Sequence, residues 1–213
     1  MRMRKRSNLD ARMERCAALL IEKPEELRGR WLEQFPGHTK LVLEIGCGKG
    51  RFTAETAAQM PDTLYVALER VPDAMILAME RVKNAGLENV RFIDADAKLA
   101  GEMFAKGEVS RLYINFCDPW PRSKNAKRRL TYHTFLEKYR RVLRPGGEIH
   151  FKTDNEKLFA WSLEEFAACG LEVHNVTDDL HANGPVGVMT GYEEKFYALG
   201  TPIHRCEIRM PEV

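Results

Sequence analysis

The sequence predicts an α/β protein with a Rossmann-like fold, in which a mostly parallel seven-stranded sheet carries helices on both faces. Its 213 residues suit one such domain. With 44% hydrophobic and 30% charged residues, the composition is that of a globular chain. From about residue 40 onward, short apolar runs alternate with helical patterns, which is typical of a parallel sheet.

The first half of the predicted sheet contains three strands, at residues 41–45, 64–68 and 90–93. Each is a short apolar run bounded by turn residues. A helix over 52–60 ends before Pro61. A second helix carries Pro72 in its first turn and Gly86 at its end, where these residues are favoured.

The second half contributes four further strands, at residues 112–116, 148–152, 171–176 and 203–210. Apolar residues recur at helical spacing over 131–143, and Pro145 and the glycines after it end that helix. Another helix runs to Cys169, with Gly170 as its cap. We expect residues 1–39 to form a basic N-terminal extension without its own core, and residues 40–213 to form the main domain.

Charge and cysteine content limit the class of protein. The net charge is only +2, but basic residues cluster at 1–6 and 122–129, which predicts a local anionic partner. The five cysteines form no CxxC pair, which argues against a zinc site or a disulfide framework. No apolar run approaches the roughly 20 residues of a membrane span. We therefore expect a soluble cytoplasmic protein without a metal.

A glycine-rich turn follows the first strand. Gly46, Gly48 and Gly50 have the spacing GxGxG, which does not meet the dinucleotide pattern GxGxxG. Glycines there allow a ligand to approach the backbone closely. Glu44, just before the turn, would repel a pyrophosphate. A cationic ligand without phosphates suits the site better, and S-adenosylmethionine (SAM) is such a ligand.

Acidic residues also follow the second and third strands. Glu69 is placed to accept both ribose hydroxyls of a nucleoside. Asp96 is placed to accept from the adenine amino group, and the Ala97 N–H to donate to a ring nitrogen. The carboxyl ends of parallel strands meet at one edge, so these residues predict one cofactor site. The alternative is that the glycines make a tight turn and the acids cap helices.

Two more carboxylates end the fourth and fifth strands. Asp118 begins the stretch Asp-Pro-Trp-Pro, whose prolines make Trp120 a stiff platform on which a base could stack. Asp154 follows the fifth strand. Both are predicted to face the same crevice. The alternatives are core packing for Trp120 and an N-cap role for Asp154.

A run of cationic residues follows Asp118: Arg122, Lys124, Lys127, Arg128 and Arg129. As a loop beside the crevice, it predicts contacts with nucleic-acid phosphates. The alternative is a solvated charged face.

Five motifs together resemble the bacterial tRNA (guanine-N7-)-methyltransferase family of the TrmB type. They are EIGCGKG at 44–50, DPWP at 118–121, KRRLT at 127–131, FKTD at 151–154 and TGYEEKF at 190–196. The likeness covers nearly the whole chain. The glycine turn is shared by many SAM-dependent methyltransferases, whereas DPWP with KRR and the late TGYEEKF are far more specific.

The resemblance implies transfer of a methyl group from SAM to N7 of a guanosine in the tRNA variable loop, at position 46 in the usual tRNA count. It implies SAM contacts at Glu44, Glu69, Asp96 and Asp118. It implies substrate contacts at Arg122, Asp154, Thr190, Gly191, Tyr192 and Glu193, with 124–129 contacting RNA. The chain departs from the family, which commonly has Lys where Arg122 stands and His where Asn125 stands.

The implied reaction has modest chemical needs. Neutral guanine N7 carries a free lone pair, so no general base is required and positioning should dominate. Asp118, the candidate catalytic residue, or Asp154 could stabilise the cationic product base or hold its N–H groups. The target base has to be unstacked to enter the pocket.

Three rival functions stay open at this point. The first is a SAM-dependent enzyme that methylates an exocyclic or amide nitrogen, whose (D/N)PP(Y/F/W) motif Asp118-Pro119-Trp120 matches imperfectly. The second is a non-catalytic RNA-binding protein. The third is an NAD-dependent oxidoreductase, but this chain lacks the glycine spacing of that class. The sequence leaves open whether the protein is a monomer or a homodimer.

Overall fold

A computed structural model describes residues 8–212 of the chain. The basic stretch 1–6, a predicted attractant for an anionic partner, lies outside the described residues. The described residues form one sheet with the strand order β3-β2-β1-β4-β5-β7-β6. The strands are β1 (Lys40–Ile45), β2 (Thr63–Leu68), β3 (Val90–Ile93), β4 (Val109–Asn115), β5 (Leu143–Thr153), β6 (Glu172–Thr177) and β7 (His204–Arg209).

The pairing confirms the predicted mostly parallel sheet. β7 runs antiparallel to its neighbours β5 and β6, while the other four pairings are parallel. β3 has its predicted bounds, and most other ends move by one to three residues. β5 begins at Leu143 rather than at residue 148, because Leu143 already pairs with Val109, and the register shifts between Val109 and Arg111 before the regular pairing starts at Glu148.

The helices are α1 (Leu9–Arg15), α2 (Trp31–Gln34), α3 (Arg51–Ala58), α4 (Pro72–Asn84), α5 (Ala100–Met103), α6 (His133–Val142), α7 (Glu156–Ala168) and α8 (Gly191–Ala198). Pro72 is the first residue of α4, and Gly86 and Gly170 adopt positive φ just beyond α4 and α7, as predicted. The sequence does not predict α8, although its Thr-x-x-Glu start is a capping box.

Alternating side chains on the central strands divide the core between two helical layers. Leu112 and Ile114 of β4 join the cluster that packs against α6 and α7. Tyr113, between them, faces the opposite layer, which contains α3 and α4. The two layers cover both faces of the sheet, as the alternating pattern of strands and helices predicts.

The segment 8–39 packs onto the main domain. Trp31 is fully buried in the domain's core, and its Nε1 donates to the Met103 carbonyl at 3.0 Å. Leu20 forms a parallel bridge with Phe92 of β3. The segment therefore lacks a core of its own but completes that of the domain. None of the helices within residues 8–212 is both long and apolar enough to span a membrane.

The strand order reverses between β1 and β4, since β1 leads outward to β2 and β3, and β4 leads outward to β5. In open α/β sheets, ligands bind at this switch point beyond the carboxyl ends of the strands. Gly50 permits the turn there to pack tightly, because a Cβ at this position would lie 2.4 Å from the Ala78 Cβ of α4. The predicted site residues are therefore carried to one edge of the sheet.

Candidate active site at the carboxyl ends of the strands

The glycine turn after β1 is held against the end of β2. The Gly46 N–H donates to the Leu68 carbonyl at 2.8 Å, and the Gly48 N–H donates to Glu69 Oε2 at 2.8 Å. Both glycines have positive φ, and a Cβ on either would meet no atom within 4 Å. The turn thus combines a fixed backbone with open space, which a closely approaching ligand requires.

Glu44 lies beneath this turn and is only 2% exposed. Its Oε2 accepts hydrogen bonds from the Thr53 hydroxyl at 2.7 Å and from the Tyr65 hydroxyl at 3.0 Å. Burial raises the pKa of the Glu44 carboxyl to about 7, against the opposing effect of these hydrogen bonds and of the Lys152 charge. The group therefore titrates near neutral pH.

Glu69 and Asp96 lie at the ends of neighbouring strands. Glu69 Oε1 accepts from the backbone N–H groups of Arg70 and Val71, at 2.8 and 2.9 Å. Asp96 caps a short 3₁₀ turn by accepting from the Lys98 N–H, and it pairs with the Arg70 guanidinium at 2.9 Å. Asp96 thus does cap a helical turn, as the alternative expects. Because each carboxylate oxygen accepts more than one hydrogen bond, Glu69 and Asp96 can still bind a ligand.

Asp118 and Asp154 have no hydrogen-bond partner among the described residues. Asp118 is exposed and Asp154 is half-buried. Burial is the main cause that raises the pKa of the Cys117 thiol to about 12, and the charges of Asp118 and Asp154 add to it. Both carboxylates therefore lie near Cys117 and near each other. The N-cap of α7 is Asn155, whose side chain accepts from the Leu158 N–H, so the N-cap alternative for Asp154 is wrong.

The Asp-Pro-Trp-Pro turn is braced by two adjacent arginines with different environments. The Arg128 guanidinium stacks 3.5 Å over the Trp120 ring and covers one of its faces. Arg129 is buried, and it donates to the carbonyls of Pro119 and Trp120 at 3.1 and 3.0 Å. In this conformation the Arg129 guanidinium holds the turn, and its contact with RNA stays a prediction.

The rest of the basic run stays open to solvent. It forms a 3₁₀ segment, Ser123–Arg128, directly beside the turn. The exposed cations at this place are Arg122, Lys124, Lys127 and Arg128. Among residues 8–212 they form no ion pair with a carboxylate, so their charge is available to an anion.

Glu193, whose role as a substrate contact stays a prediction, lies in a network of hydrogen bonds within the protein. It is fully buried, and its carboxylate receives the Lys152 Nζ at 2.7 and 3.0 Å and the His181 Nε2 at 2.9 Å. It also accepts from the Thr190 N–H, while the Thr190 hydroxyl accepts from the Glu193 N–H. Glu193 thus fastens α8 to β5, and no local sequence pattern indicates its partners Lys152 and His181.

Three further contacts fix α8 over the crevice. Glu194 forms an ion pair with Arg51 at the start of α3. The ring of Phe116, which has a φ of 52°, stacks with Tyr192 and Phe196 at centroid distances of 6.5 and 6.0 Å. α8 therefore covers the ends of β4 and β5, and leaves Gly191 and Tyr192 exposed in its first turn.

Comparison with known proteins adds to this geometry. A family model described as "Putative methyltransferase" matches residues 38–206. The chain is 43% identical to the tRNA (guanine-N(7)-)-methyltransferase of Bacillus velezensis over 98% of this chain and 96% of the relative. It is 42% identical to the enzyme of that name from Bacillus subtilis, over 98% of each chain.

Solved structures share the fold at lower identity. The 16S rRNA methyltransferase KamB aligns with a TM-score of 0.66 and 16% identity, covering 86% of this chain and 93% of KamB. A 16S rRNA (adenine(1408)-N(1))-methyltransferase from Catenulisporales acidiphilia, solved with cosubstrate SAM, aligns with a TM-score of 0.60 and 13% identity, covering 88% and 91%. At these identities the likeness concerns the fold alone.

Proposed function

This chain belongs to the tRNA (guanine-N(7)-)-methyltransferase family, and we propose that it transfers the methyl group of SAM to N7 of a guanosine in tRNA, at position 46 of the variable loop. It is an enzyme with a methyltransferase fold. The observation that carries the proposal is the meeting of an open glycine turn with carboxylates from β1 to β5 at the switch point.

The residues at this edge fit SAM. The turn at Gly46 and Gly48 leaves room for a ligand against the backbone. Glu69 and Asp96 would hold the ribose and the adenine, with the Ala97 N–H at a ring nitrogen, and Glu44 and Asp118 add negative charge for a cation. SAM supplies a methyl group on a positively charged sulfur, which favours acidic surroundings over a phosphate-binding turn. Within residues 8–212, no group of His, Cys, Asp and Glu side chains is placed to hold a metal ion.

The acceptor base would lie between the unpartnered carboxylates and α8. Asp118 and Asp154 can accept bonds from guanine N–H groups and stabilise the positive charge that grows on the base. Thr190, Gly191 and Tyr192 stand at the start of α8, beside the same opening. Because N7 needs no deprotonation, these side chains act by orienting the base rather than by moving a proton.

The RNA itself would be held outside the crevice. Arg122, Lys124, Lys127 and Arg128 offer exposed charge to its phosphates. Their position beside the Asp-Pro-Trp-Pro turn is compatible with a target base unstacked from the RNA and directed towards Asp118. A tRNA partner also implies a cytoplasmic location.

The test is to incubate the purified protein with unmodified tRNA transcripts and labelled SAM, digest the RNA and identify the labelled nucleoside. We expect label in 7-methylguanosine, lost when position 46 is changed. Asp118→Asn should fold normally and lose most turnover, whereas Asp10→Asn, an exposed carboxylate on α1, should keep it. Label in another nucleoside would show that guanine N7 is not the acceptor. SAM binding without any label would favour a different acceptor, and no SAM binding would favour a non-catalytic RNA-binding protein.

A further inference from the structure

Asn115 is a buried polar residue whose side chain has no partner in the part of the chain that the structure describes. The side chain is 8% exposed, and neither its Nδ2 nor its Oδ1 makes a hydrogen bond within residues 8–212. Buried amides in native proteins are almost always paired, because an unsatisfied donor or acceptor keeps the full penalty of losing water. An amide with both ends unpaired therefore indicates a partner from outside the chain.

The position of Asn115 indicates where that partner comes from. It is the last residue of β4, beside the switch point with β1. Ile114 pairs with Ile45, so the glycine turn starts next to Asn115. Tyr113, two residues back, packs edge-on against Phe52 of α3 at 5.1 Å, which places Asn115 on the same face of the sheet. The amide thus lies at the inner end of the proposed cofactor site.

The charged residue that pairs with Asn115 across the sheet does not satisfy the amide. Lys152 pairs with Asn115 across β4 and β5. Its ammonium group donates instead to the Glu193 carboxylate and to the Val188 carbonyl, the latter at 3.3 Å. Phe116 follows Asn115 in the chain, and both Phe116 and Lys152 contact α8, so this helix lies close to the amide.

We propose that Asn115 binds the amino-acid end of SAM, with Oδ1 accepting from its ammonium group and Nδ2 donating to its carboxylate. An amide presents an acceptor and a donor side by side, which complements an ammonium and a carboxylate on one carbon. With the nucleoside at Glu69 and Asp96, beyond β2 and β3, the opposite end of the cofactor extends towards β4. This inference rests on the proposed function, since it assumes that SAM is the cofactor.

The test compares two ligands in one variant. S-Adenosylhomocysteine carries the amino-acid end, and 5′-methylthioadenosine lacks it. By calorimetry, Asn115→Leu should weaken S-adenosylhomocysteine binding by about 10- to 100-fold, the loss of one or two good polar contacts. Binding of 5′-methylthioadenosine should change less than twofold. Urea unfolding without ligand should show unchanged or increased stability, because an apolar side chain removes an unpaired amide.

Asn89→Leu is the matched control, since this buried amide donates to the carbonyls of Ala57, Met60 and Thr63. It should lose stability and keep the affinity ratio of the two ligands. If Asn115→Leu does not fold, Asn115→Ala serves for the same comparison of the affinities for the two ligands. Equal loss for both ligands, or none, would overturn the inference and leave an ordered water as the partner. Failure of the unchanged protein to bind either ligand would instead refute the proposed function.

Discussion

Replacing Glu44 by glutamine should stabilise the protein at alkaline pH. The carboxyl group is buried, and burial raises its pKa from 4.5 to about 7. Glutamine has nearly the same shape, and its carbonyl oxygen can still accept from the Thr53 and Tyr65 hydroxyls. The substitution therefore removes the ionisation and keeps the hydrogen bonds.

The size of the effect follows from linkage between proton binding and folding. Below pH 4.5 the group is protonated in both the folded and the unfolded chain, and it causes no penalty. Between pH 4.5 and about 7 the unfolded chain ionises while the folded one keeps its proton, so stability falls as pH rises. At about 1.4 kcal/mol for each pH unit, Glu44 lowers the free energy of unfolding by about 2 to 3 kcal/mol between pH 5 and pH 8.

Urea unfolding of both proteins at pH 5 and pH 8 measures this difference. Subtracting the two free energies at each pH cancels the histidines and other groups that titrate in the same range. We expect the free energy of unfolding of Glu44→Gln to increase relative to that of the parent protein as pH rises. At pH 8 the variant should also bind SAM more weakly, because the negative charge of the ionised carboxylate is gone. A variant that is equally destabilised at both pH values would refute the reasoning, since the folded carboxyl would then not be protonated at pH 5 to 7.

Three further predictions concern packing and charge. Trp31→Ala should lower the free energy of unfolding by about 3 to 5 kcal/mol, since this ring is fully buried; a loss below 1 kcal/mol in urea would mean that segment 8–39 does not share the core. Lys152→Met leaves the buried Glu193 carboxylate without its cation and should lower the free energy of unfolding by about 3 to 5 kcal/mol. An unchanged free energy of unfolding would contradict the fastening of α8 by this ion pair. Changing Lys124 and Lys127 together to alanine should reduce the slope of log affinity for tRNA against log salt concentration by about 0.7 to 0.9 for each lost contact. The control is Lys106→Ala, which removes an exposed lysine at the opposite end of the sheet and should leave the slope unchanged. An equal change of slope in the control would show that the basic run has no specific role.

The sequence predicts most of the frame of this site. Apolar runs ended by glycine and proline place the strands, because side-chain alternation and backbone sterics act over a few residues. The carboxyl ends of parallel strands share one edge, so Glu69, Asp96, Asp118 and Asp154 could be grouped from their positions alone. The family resemblance has the same origin, since it lies in short motifs at those strand ends.

The contacts of some predicted site residues do not follow from the sequence, because the partner of the side chain is distant along the chain. Arg128 and Arg129 are neighbours with the same charge, yet one stacks over Trp120 at the surface and the other is buried beneath the turn. Glu193 is predicted to contact substrate, and in the structure it is buried in an ion pair with Lys152, which is 41 residues away in sequence. No local pattern distinguishes these cases.

By itself, the sequence determined the order of the seven strands and of the helices α3, α4, α6 and α7, the glycine turn and the chemical types gathered beside it, because these depend on local sterics and hydrophobic period. Only the tertiary structure decided which of those groups are open to a ligand. It buried Glu44 under the turn, fastened α8 across the crevice and left the Asn115 side chain without a partner among residues 8–212. The physical reason is that protonation and hydrogen bonding of a polar group depend on its burial and neighbours, which long-range packing alone brings together.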